Sequence, residues 1–298
     1  MPFGEPYHHK DLHERMIPMA LMTLSFYSPA LRRTVPLTVV LPTDKQLPGK
    51  PGYQNAAPYK TLYLLHGVFG CSLDWLSGTR VRALASNANL CVVMPSGDNK
   101  FYADSKFTGD KYGKFIAEDL VAFTEATFPV SKKREDRFIA GLSMGGYGAM
   151  VNGLRHPETF GVICGMSSAF MKEHVLTSVE EPGHGLFTST EYRTMFGLDD
   201  VKDFEGSEND YDMLARRVAK SRRKKPIIYL CCGESDSLLK YNQDYRDLLV
   251  KLGYDVTYEE WAGDHNWKFW DEAIEKVINW LPLGKAEKGV SSENVQKV

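Results

Sequence analysis

The stretch from Arg137 to Met150 restricts the fold more than any other. An apolar run, Phe138 to Leu142, breaks at Gly141-Leu142-Ser143-Met144-Gly145 and passes directly into a helix-like segment, Gly145 to Arg155. A serine between two glycines at such a bend is the pattern of a nucleophile elbow: the turn lifts the hydroxyl from the top of a sheet, and a Cβ at the flanking positions would collide with the neighbouring strand and helix. With 25 Gly in 298 residues, G-x-S-x-G arises by chance roughly 0.13 times, so the flanks must carry the reading. They fit it. The run before is a short strand candidate, and Gly146, Gly148 and Ala149 after it let a helix pack close to a sheet. The alternative is an ordinary strand-turn-helix connection with a serine near the helix start.

An elbow of this kind needs a sheet on which to stand, and the chain supplies one. Met19 to Tyr27 and Val35 to Leu41 are β-rich runs around a turn at Ser28-Pro29, which predicts an opening antiparallel pair. Pro42 to Pro58, with Pro48, Gly49, Pro51 and Gly52, is predicted to be a surface loop. From Thr61 onward the pattern alternates. Short apolar or β-branched runs lie at Thr61 to Leu65, Leu90 to Met94, Phe138 to Leu142, Val162 to Met166, Pro226 to Cys232 and Asp255 to Trp261. Helix-like stretches lie at Ser72 to Asn87, Lys111 to Thr127, Gly145 to Arg155, Tyr241 to Leu252 and Trp267 to Leu281. This predicts an α/β fold in a single domain over 1–283: an eight-stranded, mostly parallel sheet with helices on both faces. Residues 167–225 hold helix-like pieces and no strong strand, and are expected to form a cap-like insertion over the strand ends. The polar tail, 284–298, is expected to be disordered.

Composition removes several classes of function. Thirty-six basic against 38 acidic residues leave a net charge of −2, which draws in neither nucleic acid nor a membrane surface; the basic run from Arg216 to Lys225 reads as the solvated end of a helix. Five cysteines, Cys71, Cys91, Cys164, Cys231 and Cys232, show no disulfide spacing and mostly sit in apolar runs, as reduced core residues do. Met1 to Arg15 has no apolar segment of signal-peptide type and no run of about 18 apolar residues occurs, so a cytoplasmic location is expected. No P-loop, no G-x-G-x-x-G after a strand, no H-E-x-x-H and no Cys/His cluster is present, which gives no support to a nucleotide or metal enzyme.

A serine hydroxyl is a weak nucleophile at neutral pH. Ser143 needs a base within reach, and the base needs a third group to fix its tautomer. In strand-turn-helix hydrolases the partners follow in the order Ser, Asp or Glu, His, each beyond a strand end. His265 is the one histidine after the Pro226 to Cys232 run, and it stands just past the last strand candidate. For the acid, Gly233-Glu234-Ser235-Asp236-Ser237 offers both Glu234 and Asp236. The oxyanion of an acyl-transfer intermediate needs two fixed donors. One is expected to be the Met144 N–H; the other belongs to the loop His66-Gly67-Val68-Phe69-Gly70, with Val68 preferred and Phe69 second. His66 itself reads as a structural loop residue. Phe69, Trp75 and Tyr102 follow strands on the Ser143 side and are expected to line the substrate pocket, although Trp75 could equally begin a helix that packs on the sheet.

Taken together, Leu64-Leu65-His66-Gly67, Asp74-Trp75, Met94-Pro95-Ser96, Phe101-Tyr102, Gly141-Leu142-Ser143-Met144-Gly145-Gly146, Cys232-Gly233 with Asp236, and Asp264-His265-Asn266-Trp267 with Phe269-Trp270 resemble the esterase D family of α/β-hydrolases. The likeness runs from about Phe26 to Trp280 and is nearest to tributyrin esterases, with S-formylglutathione hydrolases and feruloyl or acetyl-xylan esterases as relatives. It implies the α/β-hydrolase fold and hydrolysis of a small acyl ester of short chain length. Ser143 would be the nucleophile, Asp236 rather than Glu234 the acid and His265 the base, with no cofactor. It departs at His66-Gly67-Val68-Phe69-Gly70-Cys71, where formylglutathione hydrolases carry a Gly-Leu-Thr-Cys pattern. A thioesterase, a glycan deacylase or a non-catalytic hydrolase-fold binding protein are the competing readings, and oligomeric state is left open.

Overall fold

The computed structural model describes residues 20–43, 58–181, 183 and 185–284; most of the loop expected at 42–58 and the tail expected after Gly284 lie outside them. Eight strands form one sheet: β1 (Ala20–Ser28), β2 (Arg33–Leu41), β3 (Lys60–Leu65), β4 (Leu90–Pro95), β5 (Arg137–Leu142), β6 (Val162–Met166), β7 (Ile227–Gly233) and β8 (Val256–Trp261). Their spatial order is β1-β2-β4-β3-β5-β6-β7-β8. β1 pairs antiparallel with β2, and β2 antiparallel with β4; every other neighbouring pair is parallel. The middle strands β3, β4, β5 and β6 are buried on both faces, which is why they read as unbroken apolar runs, whereas edge strand β1 alternates between inward Met22, Leu24 and Phe26 and outward Leu21, Ser25 and Tyr27. Two apolar layers, one on each face, complete the α/β-hydrolase fold.

The helices depart from the sequence pattern in two places. The single helix expected over Ser72 to Asn87 is two, Asp74–Gly78 and Val81–Ala88. Between them Thr79 is extended and the Arg80 N–H donates to Asp271 Oδ1 (2.8 Å), so a tertiary contact takes the amide that would have continued the helix. The stretch from Tyr112 to Thr127 carries a π-helical turn at Phe115–Asp119, and Asp119 accepts hydrogen bonds from the Ser28 hydroxyl (2.5 Å) and the Ala30 N–H (2.8 Å), holding down the β1–β2 turn. Between β6 and β7 lie the helices Lys172–Leu176, Ser189–Phe196 and Tyr211–Lys220 and a 3-10 turn at Val201–Phe204. Aromatic contacts among Phe101, Tyr147, Tyr192 and Phe196 seat this segment on the helix Met144–Arg155. No helix among the described residues is long and apolar enough to cross a membrane.

Candidate active site

Ser143 stands between β5 and the helix Met144–Arg155 with φ 52° and ψ −119°, a left-handed-side conformation that a non-glycine residue adopts only where its surroundings force it. Its N–H is held by the Met166 carbonyl (3.0 Å) at the end of the adjacent strand. The glycines on either side are required by packing. A Cβ at Gly141 would run into the backbone of Gly145, and one at Gly145 would lie 2.6 Å from the His66 carbonyl oxygen. Strand, turn and helix thus cross at backbone distance, and the serine hydroxyl is pushed outward, 8% of the residue remaining exposed.

His265 and Asp236 come from the two loops after β8 and β7. These loops are zipped together: the Glu234 N–H donates to the Trp261 carbonyl (3.0 Å) and the Ser235 N–H to the Gly263 carbonyl (2.9 Å). The zip settles which carboxylate turns inward. Asp236 Oδ2 lies 2.9 Å from His265 Nδ1, and its side chain is fully buried, while Glu234 is exposed. Asp236 Oδ1 also accepts the Leu238 N–H (2.8 Å), so the residue caps its own turn as well. On the other side of the imidazole, His265 Nε2 lies 3.1 Å from Ser143 Oγ. Burial pushes the Asp236 carboxyl up, but hydrogen bonds from His265 and the Leu238 amide, with Ser167 beside it, outweigh this and hold it below the usual carboxylate range. The His265 loop is stiffened by the neighbours of the histidine: Asp264 Oδ1 accepts the His265 N–H (2.7 Å), and Asn266 caps the helix Trp267–Trp280 through the Phe269 N–H (3.2 Å).

The loop after β3 brings Val68 to the rim of the same site. The Phe69 N–H is taken by Asn99 Oδ1 (2.7 Å), whereas no hydrogen bond among the described residues engages the Val68 N–H. Met144, the first residue of its helix, has an amide with no carbonyl four residues back to bind. His66 is a strut. Its Nε2 accepts the Gly97 N–H (2.8 Å), so Nδ1 carries the proton and donates to the Gly67 carbonyl (2.7 Å); burial keeps this imidazole neutral by pulling its pKa down.

A cavity of about 470 Å³ opens beside Ser143 and His265, walled largely by the segment between β6 and β7: Met171, His174, Thr177, Ser178, Leu186, Phe187 and Tyr192, with Ser237 and Leu238 from the acid loop. None of the three aromatic residues expected in the pocket is among its walls. Trp75 is buried in the core on the other face of β3, where Nε1 donates to the Leu65 carbonyl (3.0 Å) and the indole meets Trp267 edge-on; it begins a helix and packs against the sheet. Tyr102 is fully buried, its hydroxyl donating to the His66 carbonyl (3.0 Å), and so braces the loop from below. Phe69 is 73% exposed, with its ring 6.5 Å from that of Phe187, outside the cavity wall. The sequence places all three near strand ends; which side of the sheet a ring falls on is a tertiary property. Among the described residues no group of three or more His, Cys, Asp or Glu is placed to hold a metal ion.

The Esterase family pattern matches residues 28–281. An acetyl esterase of Caldicellulosiruptor saccharolyticus is 37% identical over 265 residues, covering 88% of this chain and 98% of its own. Among solved structures, the substrate-bound fluorophosphonate-binding serine hydrolase F of Staphylococcus aureus superposes with a TM-score of 0.77 at 30% identity, over 89% of this chain and 98% of that one. The S-formylglutathione hydrolase FrmB of the same organism gives 0.76 at 28% identity, over 89% and 99%.

Proposed function

Because the chain belongs to the Esterase family, whose pattern spans 28–281, we propose that it is a serine carboxylesterase that cleaves short-chain acyl esters through an acyl-enzyme intermediate. The observation that carries this reading is the run of contacts Ser143 Oγ, His265 Nε2, His265 Nδ1, Asp236 Oδ2, at 3.1 and 2.9 Å, mounted on a strained elbow. In the proposed reaction Ser143 Oγ attacks the ester carbonyl as neutral His265 takes its proton; Asp236 keeps the imidazole in the Nδ1–H tautomer and stabilises the imidazolium. The N–H groups of Val68 and Met144 receive the oxyanion, a contribution of several kcal/mol. Return of the proton from His265 expels the alcohol, and water then releases the acid by the same steps in reverse. A place within the esterase D group, near tributyrin esterases, is part of this proposal, as is an acetyl group as the acyl part, which the acetyl esterase relative is named for.

Support for short acyl groups comes from the acetyl esterase likeness and from a cavity of about 470 Å³ that has to hold both sides of the ester. A panel of 4-nitrophenyl esters from acetyl to octanoyl tests it. An apolar pocket that kept admitting chain would gain about 0.8 kcal/mol per methylene, so the expected profile has a maximum between acetyl and butyryl and then falls. A kcat/KM still rising through octanoyl would point to a lipase-like site. A thioester substrate is the second reading, supported by the 28% identity to a formylglutathione hydrolase. Faster cleavage of S-formylglutathione than of any oxyester in the panel would favour it.

A further inference from the structure

The lining of the cavity beside Ser143 is chemically mixed. Leu186, Phe187 and Tyr192 form an aromatic and aliphatic group backed by Phe69 and Phe101, whose rings lie 6.5 and 6.0 Å from that of Phe187. The rest combines His174, Thr177, Ser178 and Ser237 with apolar Val68, Met171 and Leu238, and no lysine, arginine or carboxylate lines the cavity. Thr177 Oγ1 and Ser178 Oγ donate back to the carbonyls of Glu173 (2.8 Å) and Val175 (2.7 Å), so what they offer a ligand is acceptor lone pairs. His174 differs in being held from outside its own helix. Its Nε2 lies 3.0 Å from Tyr241 Oη, with the rings 5.4 Å apart and near perpendicular, and Tyr241 stands on the helix Leu239–Lys251 that follows the acid loop. One ring nitrogen is thereby engaged. The other, Nδ1, has no hydrogen-bond partner among the described residues.

We propose that His174, oriented by Tyr241, is a specificity-determining residue that hydrogen-bonds a hydroxyl group on the alcohol side of the ester, so that acyl esters of polyhydroxylated alcohols are preferred to those of plain alkyl alcohols. The inference rests on the esterase reading above and takes the short acyl group to lie against Leu186, Phe187 and Tyr192, which leaves the alcohol to the wall that bears His174, Thr177, Ser178 and Ser237. A wall of imidazole and hydroxyl groups, without lysine, arginine or carboxylate, suits hydroxyl groups, which can both give and accept.

The test compares 1-acetylglycerol with propyl acetate, which share a three-carbon alcohol skeleton and differ by two hydroxyl groups. Wild type is expected to favour 1-acetylglycerol in kcat/KM. His174→Phe, which keeps a ring but no hydrogen-bonding atom, is expected to lower that ratio about tenfold, mainly through KM, because a bond to a remote hydroxyl is made in ground and transition states alike. Tyr241→Phe is expected to lower it less, about threefold, and His174→Asn, which keeps a neutral donor, to recover part of the loss. A wild type without preference for 1-acetylglycerol, or a ratio in His174→Phe within about twofold of wild type, overturns the inference while leaving the esterase reading in place. Failure of the wild type to hydrolyse either ester would remove both.

Discussion

Of the two carboxylates in Gly233-Glu234-Ser235-Asp236-Ser237, geometry brings one to His265 and leaves the other in solvent. Removing the proposed orienting group leaves the imidazole in the wrong tautomer, at a cost of about 10⁴ in kcat in the serine-protease precedent. Asp236→Asn is therefore expected to lose activity on that scale and Glu234→Gln to stay within about twofold of wild type. Steady-state kinetics on 4-nitrophenyl acetate checks both, and the opposite pattern would move the acid to Glu234. Spacing alone left these residues as equals, because the choice is made by the Glu234 and Ser235 amides binding Trp261 and Gly263, a pairing between two distant loops. Trp75 and Tyr102 failed as pocket residues for a related reason. Their positions after strands were visible, but the bonds that hold them down end on the carbonyls of Leu65 and His66, one in each layer.

Elements were the most legible level. Every strand expected from an apolar run is present, most with ends shifted by one or two residues, because buried parallel strands announce themselves by continuous hydrophobicity. What local pattern could not reveal was the break at Thr79-Arg80 and the π turn at Phe115–Asp119, both set by contacts with remote parts of the chain. The junction of β5 with the helix Met144–Arg155 has its own test. At Gly145 an added methyl group would press on the Leu65 and His66 carbonyls, and Leu65 is held in register with Gly141 at the end of β3. Gly145→Ala is expected to lower stability by about 2–4 kcal/mol, well above a surface change, as read by urea unfolding. A loss below about 0.5 kcal/mol would mean that the helix start is not pinned against β3.

For the molecule as a whole, the buried His66 and the half-buried His156 contribute to how stability responds to acid. The His66 pKa is lowered by burial, and that of His156 by burial and by Arg155 beside it, so at moderately acid pH the unfolded chain takes up protons that the native state refuses. Above an unfolded value of about 6.5 neither state is protonated and no penalty exists; below it stability falls, by up to about 1.4 kcal/mol per pH unit for each such group. The Asp236 pKa is lowered too, but from an acidic start, so its contribution is fully present above about pH 4 and is lost only below this window. Melting temperature is thus expected to decline from pH 7 to pH 5, and His66→Gln to flatten the decline; parallel curves for the two proteins would exclude His66 as a source. The central claim, that Ser143 is a nucleophile activated by His265, is tested most directly by treating wild type, Ser143→Ala and His265→Asn with a fluorophosphonate probe and locating the adduct by peptide mass spectrometry. The expected result is a single adduct on Ser143 in wild type, none in Ser143→Ala and strongly slowed labelling in His265→Asn, whereas an adduct on another residue, or equal labelling of Ser143→Ala, would contradict it.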